Sequence, residues 1–185
     1  MMKTMMKTRN LLFVLIAVSL VIAGCNQAKD LANVTFDAEF KADLNCEVPP
    51  ASFKSGIDGA FAASKTINPL ADSTVEKYID KIKSWEITGV TGEILSVSKE
   101  GVNLLGAELE VFSANHSTAW HIPATALFVG QKITFDNGNG QWDTIDAILG
   151  EKDVFTVSVN GSTDQDDVTF VIRLIIKTRV TVNPL

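Results

Sequence analysis

The sequence is poor in the residues on which metal sites and nucleophilic catalysis most often depend. Its 185 residues include two cysteines, Cys25 and Cys46, and two histidines, His116 and His121. The histidines stand five positions apart with no cysteine or carboxylate close to them in sequence, so the spacing does not favour a zinc site. No G-x-S-x-G segment is present, and two such histidines do not indicate a catalytic triad. We therefore expect a protein that is not an enzyme and carries no cofactor.

Long apolar segments are missing as well. The main apolar run, Leu11 to Ile22, contains twelve residues and is interrupted by Ser19. As a helix it would reach roughly 18 Å, well short of the ~30 Å hydrocarbon core of a bilayer. Lys3, Lys7 and Arg9 precede it, and no acidic residue does. A basic start followed by a short apolar run predicts an export signal rather than a membrane span.

The end of this run has a feature that an ordinary signal peptide does not need. Ala23 and Gly24 are small residues, as required before a cleavage site, but a cysteine follows them at once. The stretch VIAGC, which ends at Cys25, resembles the lipobox of bacterial lipoproteins, and the resemblance covers only this N-terminal segment. It implies cleavage before Cys25, a diacylglycerol on the Cys25 thiol and usually a further acyl chain, such as palmitate, on the new amine. Two or three acyl chains attach a protein lastingly to a membrane.

The resemblance also implies a domain organisation and a location. Residues 1–24 would be removed as the signal peptide, residues 25–33 would form the lipidated cysteine and its tether, and residues 34–185 would form one domain. Asn26 stands where lipoproteins of the inner membrane often have aspartate. The expected location is therefore the cell outer membrane, on its surface or its periplasmic face.

Basic residues are scarce once the signal is removed. Thirteen of the 16 Lys and Arg then remain against 22 Asp and Glu, a formal net charge of −9. That charge argues against nucleic acid or anionic lipid as a partner. With Cys25 lipidated, Cys46 would be the one remaining thiol, so no intrachain disulfide is expected. Cys46 lies on the apolar side of an alternating run, and we predict that it is buried.

Alternation of apolar and polar residues predicts that most of the domain is β-strand. The clearest run covers residues 34–48 and ends at Pro49-Pro50. Asp58-Gly59 is a candidate hairpin turn, and Gly89 and Gly92 suggest a β-bulge. The other predicted strands are 59–67, 86–98, 102–113, 118–122, 126–135, 153–159 and 168–182.

Two segments have a helical period instead. Residues 73–85 place apolar residues at i, i+3, i+4 and i+7 from Val75, with Ser73 and Glu76 as a capping box. A second helix is predicted in the segment WDTIDAILG, residues 142–150, with Asp143 as N-cap and Gly150 just past its end. About seven or eight strands and two short helices predict an all-β antiparallel β-sandwich of the immunoglobulin-like or jelly-roll type.

Two acidic turns offer oxygen ligands of the kind that calcium takes. Neither has the spacing of an EF-hand, and both have the composition of ordinary turns. Calcium binding and plain turn formation are therefore both compatible with the sequence. The candidate ligands are Asp136, Asn137, Asn139 and Asp143 in the first turn and Asp164, Asp166 and Asp167 in the second.

The three tryptophans are candidates for the core or for ligand contact. Trp85 and Trp142 lie on the apolar stripes of the predicted helices, which favours the core. Trp120, in the segment STAWHIP, is less constrained by its neighbours. Trp120 is therefore the candidate ligand-contact residue, on the rim of the sandwich.

These observations favour a non-enzymatic binding or adhesion module, anchored in the membrane by lipid and acting on envelope proteins or glycans. One alternative is an assembly accessory whose long strand 168–182 lies at a sheet edge and pairs with a partner's strand. Another is a hydrolase with a site on its loops, which would require two carboxylates about 5 to 10 Å apart in a cleft.

Overall fold

A computed structural model of the chain describes residues 33–51 and 59–184. Within them the chain forms nine strands and two short helices. The helices are α1 Ser73–Lys77 and α2 Gln141–Gly150, and single 3-10 turns cover Pro69–Ala71 and Ile79–Lys81. The strands are β1 Val34–Val48, β2 Ala60–Ile67, β3 Ile82–Val97, β4 Asn103–Phe112, β5 Ser117–Ile122, β6 Thr125–Ala126, β7 Lys132–Phe135, β8 Phe155–Thr163 and β9 Val168–Val182. No helix in the described part of the chain is long and apolar enough to cross a membrane.

The strands form two antiparallel sheets that pack face to face. The first sheet has the order β1-β9-β3-β7, and the second has the order β2-β8-β4-β5 with the short β6 added beside β4. The pairs are nested, since β1 pairs with β9, β2 with β8, β3 with β7 and β4 with β5. A long hairpin rolled up in this way is a jelly roll. The predicted antiparallel sandwich is confirmed, and the nested pairing identifies its type.

The alternating pattern of β1 determines which of its side chains face the core. The strand covers the predicted residues 34–48, with every second side chain from Ala38 to Val48 buried. Cys46 is 2% exposed, which confirms that it is a core residue, and burial raises the pKa of its thiol to about 12. The inward faces of β9, β4 and β8 pack against the same core.

The predicted helix over residues 73–85 is wrong beyond its first turns. α1 ends at Lys77, and β3 begins at Ile82 and pairs with β9. The N-cap is Asp72 rather than Ser73, because its Oδ1 accepts the backbone N–H groups of Thr74 and Val75 at 2.8 and 3.1 Å. The apolar residues at 82 and 85 fit a helical period, but their segment is a strand because it pairs with β9.

The predicted strand over residues 126–135 is two strands in different sheets. β6 pairs with β4 in the second sheet and β7 with β3 in the first. Gly130 has a left-handed φ of 83° and donates its N–H to Ile94 O at 2.8 Å, which turns the chain from one sheet to the other. The predicted hairpin at Asp58-Gly59 is also wrong, because β1 and β2 lie in different sheets; Asp58 itself is outside the described residues.

The predicted bulge in β3 is confirmed at one of its two glycines. The pairing of β3 with β9 shifts between Ile87 and Gly89, whereas Gly92 stays in regular register with Leu174. The predicted strand 153–159 begins two residues later and continues to Thr163, so the following polar turn is shorter than expected.

Pairing registers define two ends of the sandwich. The near end contains Val34 and Ile82, both paired with Val182. The far end contains Val48, paired with Val168. Loops 98–102, 123–131 and 164–167 lie at the far end, whereas α1 and loops 113–116 and 151–154 lie at the near end.

The long final strand is central in its sheet. β9 pairs with β1 along one side and with β3 along the other. Pairing with a partner through residues 168–182, the alternative considered from sequence, would require an open side that this strand does not have. The strand edges of the first sheet belong to β1 and β7.

Candidate functional site

The first acidic turn is the loop between β7 and α2, and it is held by its own hydrogen bonds. Asp136 Oδ1 accepts the backbone N–H of Gly138 at 3.3 Å, and Asn137 Oδ1 accepts that of Trp142 at 2.8 Å. The backbone N–H of Asn139 donates to Gln141 Oε1 at 2.8 Å. Side-chain oxygens that satisfy the backbone in this way are typical of a structured turn.

The ends of α2 differ from the prediction. Asp143 lies inside the helix, and the N-cap is Gly140, which has a left-handed φ of 77°. The helix can begin at Gln141 because the Asn137 side chain, upstream of the cap, accepts a backbone N–H of the first turn. Gly150 is the last helical residue, and Glu151 follows it in a right-handed conformation.

The second acidic turn joins β8 to β9 and ties neighbouring loops together. Both oxygens of Asp164 accept N–H groups of Asn103, from the backbone at 2.8 Å and the side chain at 2.7 Å, and these bonds lower the pKa of Asp164. Asp166 Oδ1 accepts the backbone N–H of Gly59 at 2.8 Å, and Asp167 pairs with a lysine, Lys99, at 3.2 Å. Over residues 33–51 and 59–184, no group of three or more His, Cys, Asp or Glu side chains is arranged to hold a metal ion.

The two histidines are exposed and lie in different places. His116 Nδ1 is 2.6 Å from Glu151 Oε1 at the near end, and Ser113 Oγ donates to the same oxygen at 2.9 Å. The contact with His116, more than that with Ser113, lowers the pKa of Glu151. His121 lies opposite Glu108 on the outer face of the second sheet. Ser113 donates to the glutamate and not to the histidine ring, so the three side chains do not have the serine–histidine–carboxylate order of a catalytic triad.

The prediction of Trp120 as a ligand-contact residue needs correction. Its side chain is 6% exposed, packs on the ring of Phe135 with centroids 5.6 Å apart, and donates its indole N–H to Asp136 O at 2.8 Å. Trp120 faces inward because it alternates with exposed residues on β5. Trp85 and Trp142 pack in or against the core as predicted, although Trp85 does so from a strand.

Cys25, the predicted lipid attachment site, lies outside the described residues. The described chain starts at Asn33, one residue before β1, at the near end.

The outer face of the first sheet neutralises most of its charges internally. Arg173 of β9 contacts Asp43 of β1 through two nitrogens at 2.7 and 2.8 Å. Further along the same two strands, Lys177 lies 3.6 Å from Glu39, and Arg179 lies 3.7 Å from Asp37. Exposed pairs of this kind contribute little to stability, but they leave the face without a strong field of one sign.

Shallow depressions interrupt the outer surfaces of the described sheets, and two of them are lined entirely by described residues. One, of about 320 Å³, lies on the second sheet and is lined by small side chains of Ala62, Ala63, Ser64, Ser158, Val159 and Asn160. The other, of about 390 Å³, lies at the β1 edge of the first sheet and is lined by Lys41, Asp43, Asn45, Lys65 and Arg173. The first has no charged lining and the second is mainly cationic.

A rigid turn at the far end presents two large apolar side chains to solvent. Phe128 is 58% exposed and Val129 is 63% exposed. Gln131 N donates to Phe128 O at 3.1 Å, which closes the turn, and the turn is fixed to Ile94 by hydrogen bonds of 2.8 and 3.0 Å. This turn is not predictable from the sequence, because the apolar run at 127–129 is equally typical of a strand.

Comparison of the sequence with protein families and with curated proteins finds no match. Among solved structures, a decameric capsid protein of BFDV is similar, at 9% identity over 80% of this chain and 99% of that chain, with a TM-score of 0.42. The Desmodium yellow mottle tymovirus structure gives 8% identity over 83% and 84% of the two chains, with a TM-score of 0.33. The structure of turnip yellow mosaic virus gives 9% identity over 82% and 95%, with a TM-score of 0.35. Likenesses at these TM-scores carry no conclusion about the function of this chain.

Proposed function

We propose that this chain is a non-enzymatic binding module held at the outer membrane by a lipid on Cys25, facing either the surface or the periplasm. The observation that carries the proposal is the segment VIAGC behind a basic start and a short apolar run. Envelope proteins and glycans are the proposed partners. A net charge of −9 after cleavage disfavours nucleic acid.

The direction of β1 determines which end of the domain a lipid on Cys25 would hold near the membrane. The strand starts nine residues after Cys25, at the near end, and runs to the far end. An extended tether of about eight residues would reach at most about 25 to 30 Å. The 15 residues of β1 add roughly 45 Å, so an anchor at Cys25 would hold the far-end loops outward from the membrane.

The far-end turn is the proposed contact region. Phe128 and Val129 are among the most exposed large apolar side chains of the described chain, and the turn that holds them is fixed by backbone hydrogen bonds. A fixed turn loses little conformational entropy when a partner binds it. An apolar site on an envelope protein is the partner that suits these two side chains.

Metabolic labelling with a fatty-acid analogue tests the anchor. The wild-type chain should be labelled and should fractionate with membranes, whereas Cys25→Ala should lose the label and leave the membrane fraction. Cys46→Ala is the matched control, since it removes the buried thiol and should keep both label and location. Unchanged membrane attachment of Cys25→Ala would contradict the lipid anchor.

A further inference from the structure

The depression at the β1 edge has a charge opposite to that of the chain. Three of its five lining side chains are cationic, namely Lys41, Lys65 and Arg173, and one is a carboxylate, Asp43. The whole sequence has a formal net charge of −6. Glu39 lies 3.1 Å from Lys41 and Asp43 pairs with Arg173, so the uncompensated positive charge at the depression belongs to Lys65. An uncompensated cation beside further N–H donors attracts anions even on an acidic protein.

Lys65 reaches this depression from an unusual position. On β2 it belongs to the inward-facing row with Phe61 and Ile67, which are 5% and 8% exposed, yet Lys65 itself is exposed. β2 is the edge strand of the second sheet, so the side chain leaves the core at that edge and lines the depression on the first sheet. The pKa of Asp43 is lowered mainly by its hydrogen bonds with Arg173 and additionally by the charge of Lys65.

An inward-facing lysine on an edge strand also discourages pairing with another chain. Protection of the edge requires only the charge of Lys65. It does not explain why the guanidinium of Arg173 on β9 and the amide of Asn45 on β1 line the same depression.

Hydrogen-bond donors in the depression outnumber their acceptors. Asp43 takes two N–H groups of Arg173, and a guanidinium has five, so three remain. Lys41 contacts Glu39 at 3.1 Å and keeps further N–H groups. The side chains of Lys65 and Asn45 have no hydrogen-bond or ion-pair partner within residues 33–51 and 59–184.

Asp43 also orders the site. Its two contacts, at 2.7 and 2.8 Å, fix the plane of the Arg173 guanidinium on the sheet surface. A guanidinium held in one plane presents its free N–H groups in the fork geometry that matches carboxylate, sulfate or phosphate oxygens.

We propose that the depression formed by Lys41, Asn45, Lys65 and the Asp43–Arg173 pair binds an oxyanion group of a ligand. The carboxylate of an acidic saccharide and a phosphate group share the chemistry that these donors recognise. The inference concerns the described fold and is independent of lipid attachment and of the far-end turn.

Two-dimensional NMR titrations of the folded chain, at constant ionic strength with chloride as the balancing anion, test the proposal. The probes are trigalacturonate, which carries only carboxylates, and inorganic phosphate. Backbone signals of residues 41–45, 65 and 173 should shift with either or both probes and saturate at millimolar concentration. The probe that binds more tightly identifies the source of the oxyanion.

Charge-reversal variants separate the site from general electrostatics. Lys65→Glu should weaken binding at least about tenfold, because it places a carboxylate against the bound anion. Lys132→Glu changes the net charge equally but lies on β7, two strand spacings or about 10 Å from Arg173 with Glu93 between them, and should weaken binding less than Lys65→Glu does. The conservative Lys65→Gln should weaken binding about threefold to fivefold and serves if the reversal does not fold.

Equal loss in Lys65→Glu and Lys132→Glu would overturn the proposal, as would shifts spread over all exposed lysines. The absence of saturable shifts with both probes would overturn it too. None of these outcomes bears on Cys25, and the lipid anchor is tested separately by the labelling experiment.

Discussion

At the scale of single residues, Asp146 shows how one carboxylate completes a strand edge. β7 pairs with β3 only at residues 90–93 of β3. Ile87 precedes this paired part of β3, and its N–H donates to Asp146 Oδ1 of α2 at 3.0 Å instead of to a strand. Burial raises the pKa of Asp146 to about 6, with smaller contributions from the nearby carboxylates Asp143 and Glu86, and the Ile87 N–H acts in the opposite direction.

The raised pKa makes the stability contribution of Asp146 depend on pH. Because the folded-state pKa of about 6 exceeds the ordinary value of 3.8, the protonated form contributes stability that is fully present below pH 3.8. That contribution is lost as the pH rises through about 6. Above that pH the ionised carboxyl opposes the docking of α2.

Asp146→Asn should therefore stabilise the fold at pH 7.5 and not at pH 3.5. Asparagine keeps an oxygen for the Ile87 N–H and removes the charge, so we expect the free energy of unfolding at pH 7.5 to rise by about 1 kcal/mol, after discounting for solvent screening. Urea denaturation at both pH values measures the difference. The exposed Asp143→Asn, on the same helix, should change stability by less than about 0.5 kcal/mol; a pH-independent gain in Asp146→Asn would contradict the assignment.

Residue-scale prediction succeeded where the side chain follows its strand and failed where tertiary contacts decide. The burial of Cys46 follows from its position in an alternating run. Trp120 belongs to an equally alternating strand, but that strand has only six residues, and the hydrogen bond to Asp136 O comes from a distant loop. The exposure of Lys65 on an inward-facing row depends on β2 being an edge strand, which the sequence does not reveal.

At the scale of elements, long strands could be predicted from sequence and short connections could not. β1 and β9 cover the predicted residues, because alternation over 15 positions distinguishes a strand from a helix even where a few residues would fit either. The segment 73–85 fits both the helical and the strand period for a few residues. Its division between α1 and β3 therefore depends on the pairing of Ile82 with Val182 and of Trp85 with Val180. The separation of β6 from β7 depends on the left-handed Gly130.

The contact between β4 and β8 provides a test of how closely two elements approach. A Cβ added at Gly161 would lie 2.5 Å from Gly106 O and 2.6 Å from Ala107 Cβ, beside the register shift in β4. Gly161→Ala must push these backbones apart, and we expect a loss of about 2 to 3 kcal/mol in unfolding free energy. Thermal and urea unfolding measure it.

Gly89→Ala is the control, since a Cβ at Gly89 meets nothing within 4 Å and its φ is not in the left-handed region. It should change stability by less than about 0.5 kcal/mol despite its position at the β3 bulge. Similar losses in both variants would show that flexibility, and not the close approach, explains the glycine at 161.

At the scale of the whole molecule, the two ends of the sandwich differ in what they present. The near end contains the start of the described chain, the three short helical segments of 69–81 and the His116–Glu151 contact. The far end contains turns held by side-chain carboxylates and the apolar pair at 128–129. The fold class could be predicted from the sequence, but the assignment of loops to ends could not, because it depends on which strands pair.

Cross-linking in intact cells tests whether the far end meets a partner. A photoreactive residue in place of Val129 should give a protein adduct of defined size. The same residue in place of Val154, a near-end valine that is 49% exposed, should not give that adduct. Adducts of equal yield from both positions would contradict a far-end contact, and Phe128→Ser should reduce the yield from position 129.

The nested strand order also determines when the first sheet can be completed. β1 is the first strand of the chain, and its sheet partner is the last, with Val34 and Val182 lying 148 positions apart. At about 5 to 20 residues synthesised per second, β1 waits roughly 7 to 30 s before β9 exists. Contacts of such long range also make folding intrinsically slow. The first sheet therefore stays incomplete until nearly all of the described chain has been made, whereas β4 and β5, whose paired residues Phe112 and Ser117 are five positions apart, can pair much earlier.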